Sequence, residues 1–428
     1  MERKSNIVSV NAREVLDSRG NPTVEAIVTL TDGTKASAMA PSGASTGEFE
    51  AWELRDWESE RYGGKGVKKV VEGIEKDLHA ALFGKCVFEQ RKLDNLLCEK
   101  DGTKEKSKYG ANGILAVSLA CAKAGALEKK EPLYRYVGGL NSGEMPVPMM
   151  NIVNGGAHTD SNIDIQEFMI VPIGIRRLKG NAFAEGVRWC TEVYHSLKKI
   201  LKKWEVATSV GDEGGFAPDL ASDETVLGLL MEAIADAGYQ TGRDGDFMIS
   251  LDVAASEWKD KEKGTGHYLL KKQGFAYTTD GLIEYYEKLV EKYPILSLED
   301  PLDEEDWEGW KKITERLADK VLLVGDDLFV TNRERLQRGI KLGVANAILI
   351  KPNQIGSLSE TMDTVAMAKE FGYATIMSHR SGETEDTTIA DLAVGLRTPY
   401  VKMGAPCRGE RTAKYNRLIA IEEELYGK

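Results

Sequence analysis

The apolar positions change their period twice along the chain. Over the first forty residues, short β-favouring runs at 7–10, 23–30 and 34–39 alternate with turn chemistry, Asp17-Ser-Arg-Gly-Asn-Pro22 and Thr31-Asp-Gly33. That alternation predicts a strand meander. A small-residue loop follows, Pro41-Ser-Gly-Ala-Ser-Thr-Gly47. The period then turns helical. Val67, Val70, Val71, Ile74, Leu78 and Ala81 recur once per helical turn and stop at Gly84, and an alanine-rich helix is expected over 110–127, ahead of Pro132. Residues 1–135 therefore read as a small α+β domain.

From Met145 the pattern changes again. Apolar strands at 248–251, 295–298, 321–324, 347–350, 374–377 and 400–401 alternate with amphipathic helices. This predicts βα units, a parallel sheet and an α/β barrel over 140–428. Each strand ends on a polar residue: Asp252, Glu299, Asp326, Lys351, His379 and Lys402 in turn. Successive ends lie about one βα unit apart, except where the charged insert 259–272 intervenes; that insert is read as a solvated loop. In a barrel, strand C-termini converge on one face, where catalytic groups sit. At any one position a surface ion pair explains a charge equally well, but six strands in succession favour a site.

The residue types narrow the chemistry. Asp252, Glu299 and Asp326 bring three carboxylates together from neighbouring strands, and they repel one another without a cation. No Cys or His joins them, so Mg²⁺ suits the set better than zinc. Burial and a nearby cation both disfavour the ammonium form of Lys351, which predicts a lysine of near-neutral pKa able to act as a general base next to a carboxylate. The alternative is a structural ion pair between Lys351 and one of these carboxylates. Gly211-Asp-Glu-Gly-Gly-Phe216 follows the apolar run 206–210 and presents Glu213 as a positioned acid, although such strings are also ordinary turns. Gln166 and Glu167 interrupt an apolar strand at 163–170, where buried polar groups need partners. Arg380 and Ser381, ahead of a helix expected from Glu385, form a phosphate cradle. Gly63-Gly-Lys-Gly66 lacks the Ser or Thr of a P-loop. His158 lies on a glycine-flanked loop that can close over a ligand. His79 and His195 fall in helical patterns and His267 in the charged insert.

Composition sets the setting. The 428 residues are 42% hydrophobic and 29% charged, as in ordered globular proteins, with a net charge of −12. Nucleic acid and anionic membrane surfaces are disfavoured as partners, and an anionic substrate needs cations concentrated locally. Cys86, Cys98, Cys121, Cys190 and Cys407 form no metal or redox spacing and read as buried free thiols in a reducing compartment. No secretory signal is visible behind Met1-Glu-Arg-Lys4, and the longest apolar stretch, 114–122, is too short to span a bilayer. A cytoplasmic protein without membrane insertion is expected.

Seven segments carry a resemblance over essentially the whole chain. They are Asp17-Ser-Arg-Gly-Asn-Pro-Thr-Val-Glu25, Pro41-Ser-Gly-Ala-Ser-Thr-Gly47, Pro146-Val-Pro-Met-Met-Asn-Ile152 and Gly211-Asp-Glu-Gly-Gly215, then Gly325-Asp-Asp-Leu-Phe-Val-Thr-Asn332, Asn353-Gln-Ile-Gly356 and Ser378-His-Arg-Ser-Gly-Glu-Thr-Glu-Asp386. The sequence resembles the enolases, the phosphopyruvate hydratases. The resemblance implies reversible dehydration of 2-phosphoglycerate to phosphoenolpyruvate with two Mg²⁺ per site, the second recruited with substrate. It implies Lys351 as the base at C2, Glu213 as the acid at the C3 hydroxyl held by Glu167, and Asp252, Glu299 and Asp326 as ligands of the first Mg²⁺. Ser45 becomes the ligand of the second. Gln166, Arg380, Ser381 and Lys402 become substrate contacts, with His158 and His379 nearby. A homodimer, or a larger assembly built of dimers, is implied, as is a secondary cell-surface presence. Pro352, Thr159-Asp160 and Cys407 depart from the usual family pattern without touching these groups. Other members of the wider superfamily lack the Glu213 loop and the Arg380-Ser381 pair. A purely binding or structural role, with Lys428 as a capture point, is the reading from a different class.

Overall fold

The computed structural model describes residues 5–43, 47–57, 60–156, 162–180 and 182–427, so Ser45, His158, Thr159, Asp160 and Lys428 lie outside the described residues. At the N-terminus β1 (Ile7–Leu16), β2 (Pro22–Leu30) and β3 (Lys35–Met39) form an antiparallel sheet in that order. Asp17 makes the first turn: its Oδ1 accepts from the backbone N–H of Arg19 at 2.9 Å and of Asn21 at 2.8 Å. The expected helix ending near Gly84 runs as Lys68–Gly73, a π-helical turn Ile74–Leu78 and His79–Leu82. His79 Nδ1 accepts from Val10 N at 3.0 Å, which ties this helix to β1. The alanine-rich helix, Ala111–Lys129, is buried on nearly every side. It packs on β2 and β3 and also on the short helix Pro352–Ile355, which accounts for its apolar circumference.

The remaining strands are β4 (Val147–Asn154), β5 (Glu167–Val171), β6 (Met248–Asp252), β7 (His267–Leu270) and β8 (Phe275–Thr278), then β9 (Ile295–Glu299), β10 (Leu322–Gly325), β11 (Ala347–Ile350), β12 (Ala374–Ser378) and β13 (Tyr400–Lys402). All except β7 and β8 close a barrel in the order β4-β5-β6-β9-β10-β11-β12-β13. The expectation of a wholly parallel sheet needs one correction: β5 runs antiparallel to both β4 and β6. Only residues 155–166 join β4 to β5, far fewer than the βα units elsewhere in the barrel, and the strand returns antiparallel. The charged insert also differs from expectation. Residues 259–272 are not a plain solvated loop, because they lead into the β7–β8 hairpin. Tyr268 and Leu270 point inward from it, and the Tyr268 hydroxyl donates to Asp306 at 2.8 Å. The helix expected from Glu385 begins at Thr388. The thiols are free as expected, but only Cys121 and Cys190 are fully buried. Among the described residues, no helix is long and apolar enough to cross a membrane.

Side-chain alternation builds the rim. Val147, Met149, Met169, Val171, Val324, Ala347, Leu349, Ile376 and Tyr400 fill one apolar cluster inside the barrel. Continuing each strand's period of two from these residues reaches Asn151, Glu167, Asp326, Lys351, Ser378 and Lys402. The apolar layers below thus set which residues face inward at the mouth. Because β5 is reversed, its first residue, Glu167, lies on the rim where the parallel strands end; its register partner is Asp252, the last residue of β6.

Candidate active site

A single cavity at that rim is lined by Gln166, Glu167, Glu213, Asp252, Asp326 and Lys351, together with His379, Arg380, Ser381 and Lys402. Glu299 completes the group of described candidates from beside Asp252, its register partner on β9. Every candidate within the described residues is therefore brought to one place. Ser45 and His158 are the two candidates outside them.

Lys402 is the electrostatic centre. Its Nζ lies 2.7 Å from Asp252 Oδ2, 2.9 Å from both oxygens of Glu299 and 3.2 Å from Glu167 Oε2. Burial pulls its ammonium down, but these carboxylates win and hold its pKa well above the usual lysine value. Lys351 pairs directly with Asp326 Oδ2. A near-neutral Lys351 is expected beside a bound cation; the Asp326 pair by itself acts the other way. Burial does lower its pKa, but the adjacent Asp326 carboxylate reverses the shift and holds it above the ordinary value. Asp326 shows the reciprocal effect: burial raises its pKa, but Lys351, Lys402 and Arg380 together lower it, and the net shift is downward. The ion pair offered as an alternative is thus present, between the two residues that the catalytic reading also needs.

The acid side is built around Glu213. Its Oε2 accepts from Asn151 Nδ2 at 3.0 Å, and its carboxyl acts on that of Glu167. Two adjoining buried carboxyls favour a state in which at least one is protonated. Burial and then the Glu213 charge push the Glu167 pKa well above the usual range. The glycines of this loop have packing reasons. Gly214 has φ +84°, and a Cβ there would meet Cys407 O at 2.7 Å; at Gly215 a Cβ would meet Asn154 Oδ1 at 2.2 Å. His379 Nε2 faces Glu213 Oε2 at 3.6 Å. Burial pushes the His379 pKa well below its ordinary value, so the ring is neutral.

Arg380 is buried and paired with both oxygens of Glu50, at 2.9 and 3.1 Å, and it also donates to Asn353 Oδ1 at 3.2 Å. Its segment is joined to the chain just beyond β3 by a backbone bridge between Ser42 and Gly382. A guanidinium beside Ser381 and this bridge offers fixed donors to a phosphate.

The donor set fits a hard divalent cation. Asp252, Glu299 and Asp326 present only oxygen ligands. Burial first, then mutual repulsion, raises Glu299, Asp300 and Asp327 well above the usual carboxylate range. Asp300, Asp326 and Asp327 also place oxygens close enough together to share an ion. Ionised together, these carboxylates would bury more negative charge than Lys351, Lys402 and Arg380 offset, and a cation would relieve it.

Several contributors were missed by the sequence reading. Asn151 could have been found by the rule that singled out Gln166 and Glu167, because it too interrupts an apolar strand. Asp300 follows Glu299 directly and accepts from Asp326 N at 3.0 Å and Asp327 N at 2.8 Å. Gln354 donates to Asp326 Oδ1 at 2.9 Å. Arg411, fully buried behind His379, carries no local signal at all.

A closed α/β barrel with buried lysines and carboxylates at its strand-end rim defines the class: an α/β-barrel protein with a charged site at its strand ends. A family model for the enolase N-terminal domain matches residues 7–137, and one for the enolase C-terminal TIM barrel domain matches residues 142–428. The chain belongs to the enolase family.

Proposed function

We propose that the protein reversibly dehydrates 2-phosphoglycerate to phosphoenolpyruvate. The observation that supports this most is one cavity lined by Lys351, by the Glu213–Glu167 pair and by Arg380 with Ser381, so that base, acid and phosphate contacts surround one small anion. In the forward direction Lys351, once it has released a proton, takes the C2 proton of the substrate. The electron pair left on C2 delocalises into the substrate carboxylate, and Lys402 holds fixed positive charge beside the Asp252 and Glu299 carboxylates. The proton shared by Glu213 and Glu167 passes to the C3 hydroxyl, which leaves as water while the C2–C3 double bond forms. Arg380 and Ser381 hold the phosphate, and Gln166 orients the substrate at the rim.

Asp252, Glu299 and Asp326 would hold Mg²⁺, which when bound supplies positive charge to offset the charge gathering on the substrate carboxylate. Ser45 is proposed as the ligand of a second Mg²⁺, and His158 as a further substrate contact. In this reading residues 1–135 cap the catalytic barrel of residues 140–428. A dimer-based assembly and a cytoplasmic location belong to the same reading.

The test is phosphoenolpyruvate formation from 2-phosphoglycerate, followed by ultraviolet absorbance, with Mg²⁺, with a chelator, and with Lys351→Ala. Mg²⁺-dependent turnover, lost in both controls, is expected. A well-folded wild-type protein that does not turn over with Mg²⁺ would refute the assignment.

A further inference from the structure

Arg411 lies near the start of the helix Gly409–Tyr426 and exposes no surface. One of its terminal nitrogens reaches His379 Nδ1 at 2.6 Å and the backbone carbonyl of Arg380 at 2.5 Å; the other reaches the carbonyls of Ser381 at 2.6 Å and Asp212 at 3.1 Å. Those carbonyls belong to the two segments that present the phosphate contacts and the acid. Arg411 therefore pins the Glu213 loop to the Arg380–Ser381 segment with a single rigid group. Every polar hydrogen of a guanidinium is a donor and none of its atoms accepts, so the ring nitrogen it meets must accept. His379 Nδ1 then carries no proton, and in the neutral ring the proton sits on Nε2. That Nε2 is buried, has no hydrogen-bond partner among the described residues, and faces Glu213 at 3.6 Å.

We propose that Arg411 is a positioning residue that fixes His379 as the neutral Nε2–H tautomer, so that His379 presents a hydrogen-bond donor to the oxygen that leaves the substrate beside Glu213. This rests on the reading above for the identity of that oxygen, which would be the departing C3 hydroxyl. The tautomer itself does not depend on which substrate binds. No proton leaves His379: Nε2–H donates to the hydroxyl oxygen as its bond to C3 breaks, while Glu213 supplies the proton that completes the water.

The experiment is ¹⁵N spectroscopy of protein labelled at its five histidines, with the His379 signal assigned by its loss in His379→Asn. At neutral pH the wild-type protein is expected to show His379 as a neutral ring protonated at Nε2. Arg411→Met is expected to give a mixture of tautomers and a kcat about 10–100-fold lower, with KM for 2-phosphoglycerate changed only a few-fold. Arg411→Lys keeps a donor toward Nδ1 and should recover the Nε2–H signal and part of kcat. A wild-type spectrum showing Nδ1–H or an imidazolium overturns the proposal, whether or not the variants fold. An Arg411→Met protein that loses kcat while His379 stays wholly Nε2–H also overturns it, because the loss then comes through another route. Absence of turnover by wild-type protein on 2-phosphoglycerate, with the expected tautomer present, counts against the substrate assignment and not against Arg411.

Discussion

Glu167 and Asp252 are direct register partners across β5 and β6, although the two strands run in opposite directions. The reversal puts the first residue of one strand beside the last residue of its neighbour. The carboxylate proposed on the acid side and one proposed as a cation ligand are thereby bridged by the same Lys402 ammonium.

That bridge makes Glu167 separable from binding. Glu167→Gln keeps the shape and a polar contact toward Lys402 but cannot share an acidic proton with Glu213. Steady-state kinetics should show kcat lower by about 10²–10⁴-fold, with KM within a few-fold of wild type. A raised KM at unchanged kcat would instead make Glu167 a binding residue.

Lys402 is shared by three buried carboxylates, so its removal should be costly. In chelator, Lys402→Met is expected to lose about 3–5 kcal/mol of stability in urea unfolding, since the carboxylates are left uncompensated. Mg²⁺ bound at Asp252, Glu299 and Asp326 should recover part of that loss by mass action. If the loss is the same with and without Mg²⁺, these carboxylates do not form a cation site.

Ser45→Ala should weaken the second Mg²⁺ far more than the first. Calorimetric titration of Mg²⁺, with and without 2-phosphoglycerate, separates the two events. Equal weakening at both would remove Ser45 from the proposed ligand set.

Asp223 gives a pH signature away from the chemistry. It is buried, accepts from Ile165 N, Asp164 N and Gln273, and burial raises its pKa from 3.8 to about 6. The folded protein thus keeps a proton that the unfolded chain releases. Its contribution to stability is fully present below the unfolded pKa and falls as pH rises through the folded value, by roughly 3 kcal/mol between about pH 4 and 6. Asp223→Asn should flatten that decline in urea unfolding measured at pH 4, 5, 6 and 7. A wild-type-minus-variant difference that stays constant across this range would place the effect elsewhere.

The sequence by itself determined the strands and most of the rim. Alternating runs ending at Asp252, Glu299, Asp326, Lys351, His379 and Lys402 are local facts, because a strand's apolar period and its terminal residue are written in consecutive positions. The family resemblance, carried by contiguous motifs, was equally local. Four things were decided only by the tertiary structure. The direction of β5 depends on how the chain from Asn154 to Glu167 closes on its neighbours. The buried face of the β7–β8 hairpin, marked by Tyr268 and Leu270, was hidden by lysine-rich flanks. The state of Lys351 and the place of Arg411 depend on groups far away in sequence, Asp326 for one and His379 for the other. Coulomb and hydrogen-bond terms act through space. No period or spacing along the chain encodes which distant partner will stand within 3 Å of a buried charge.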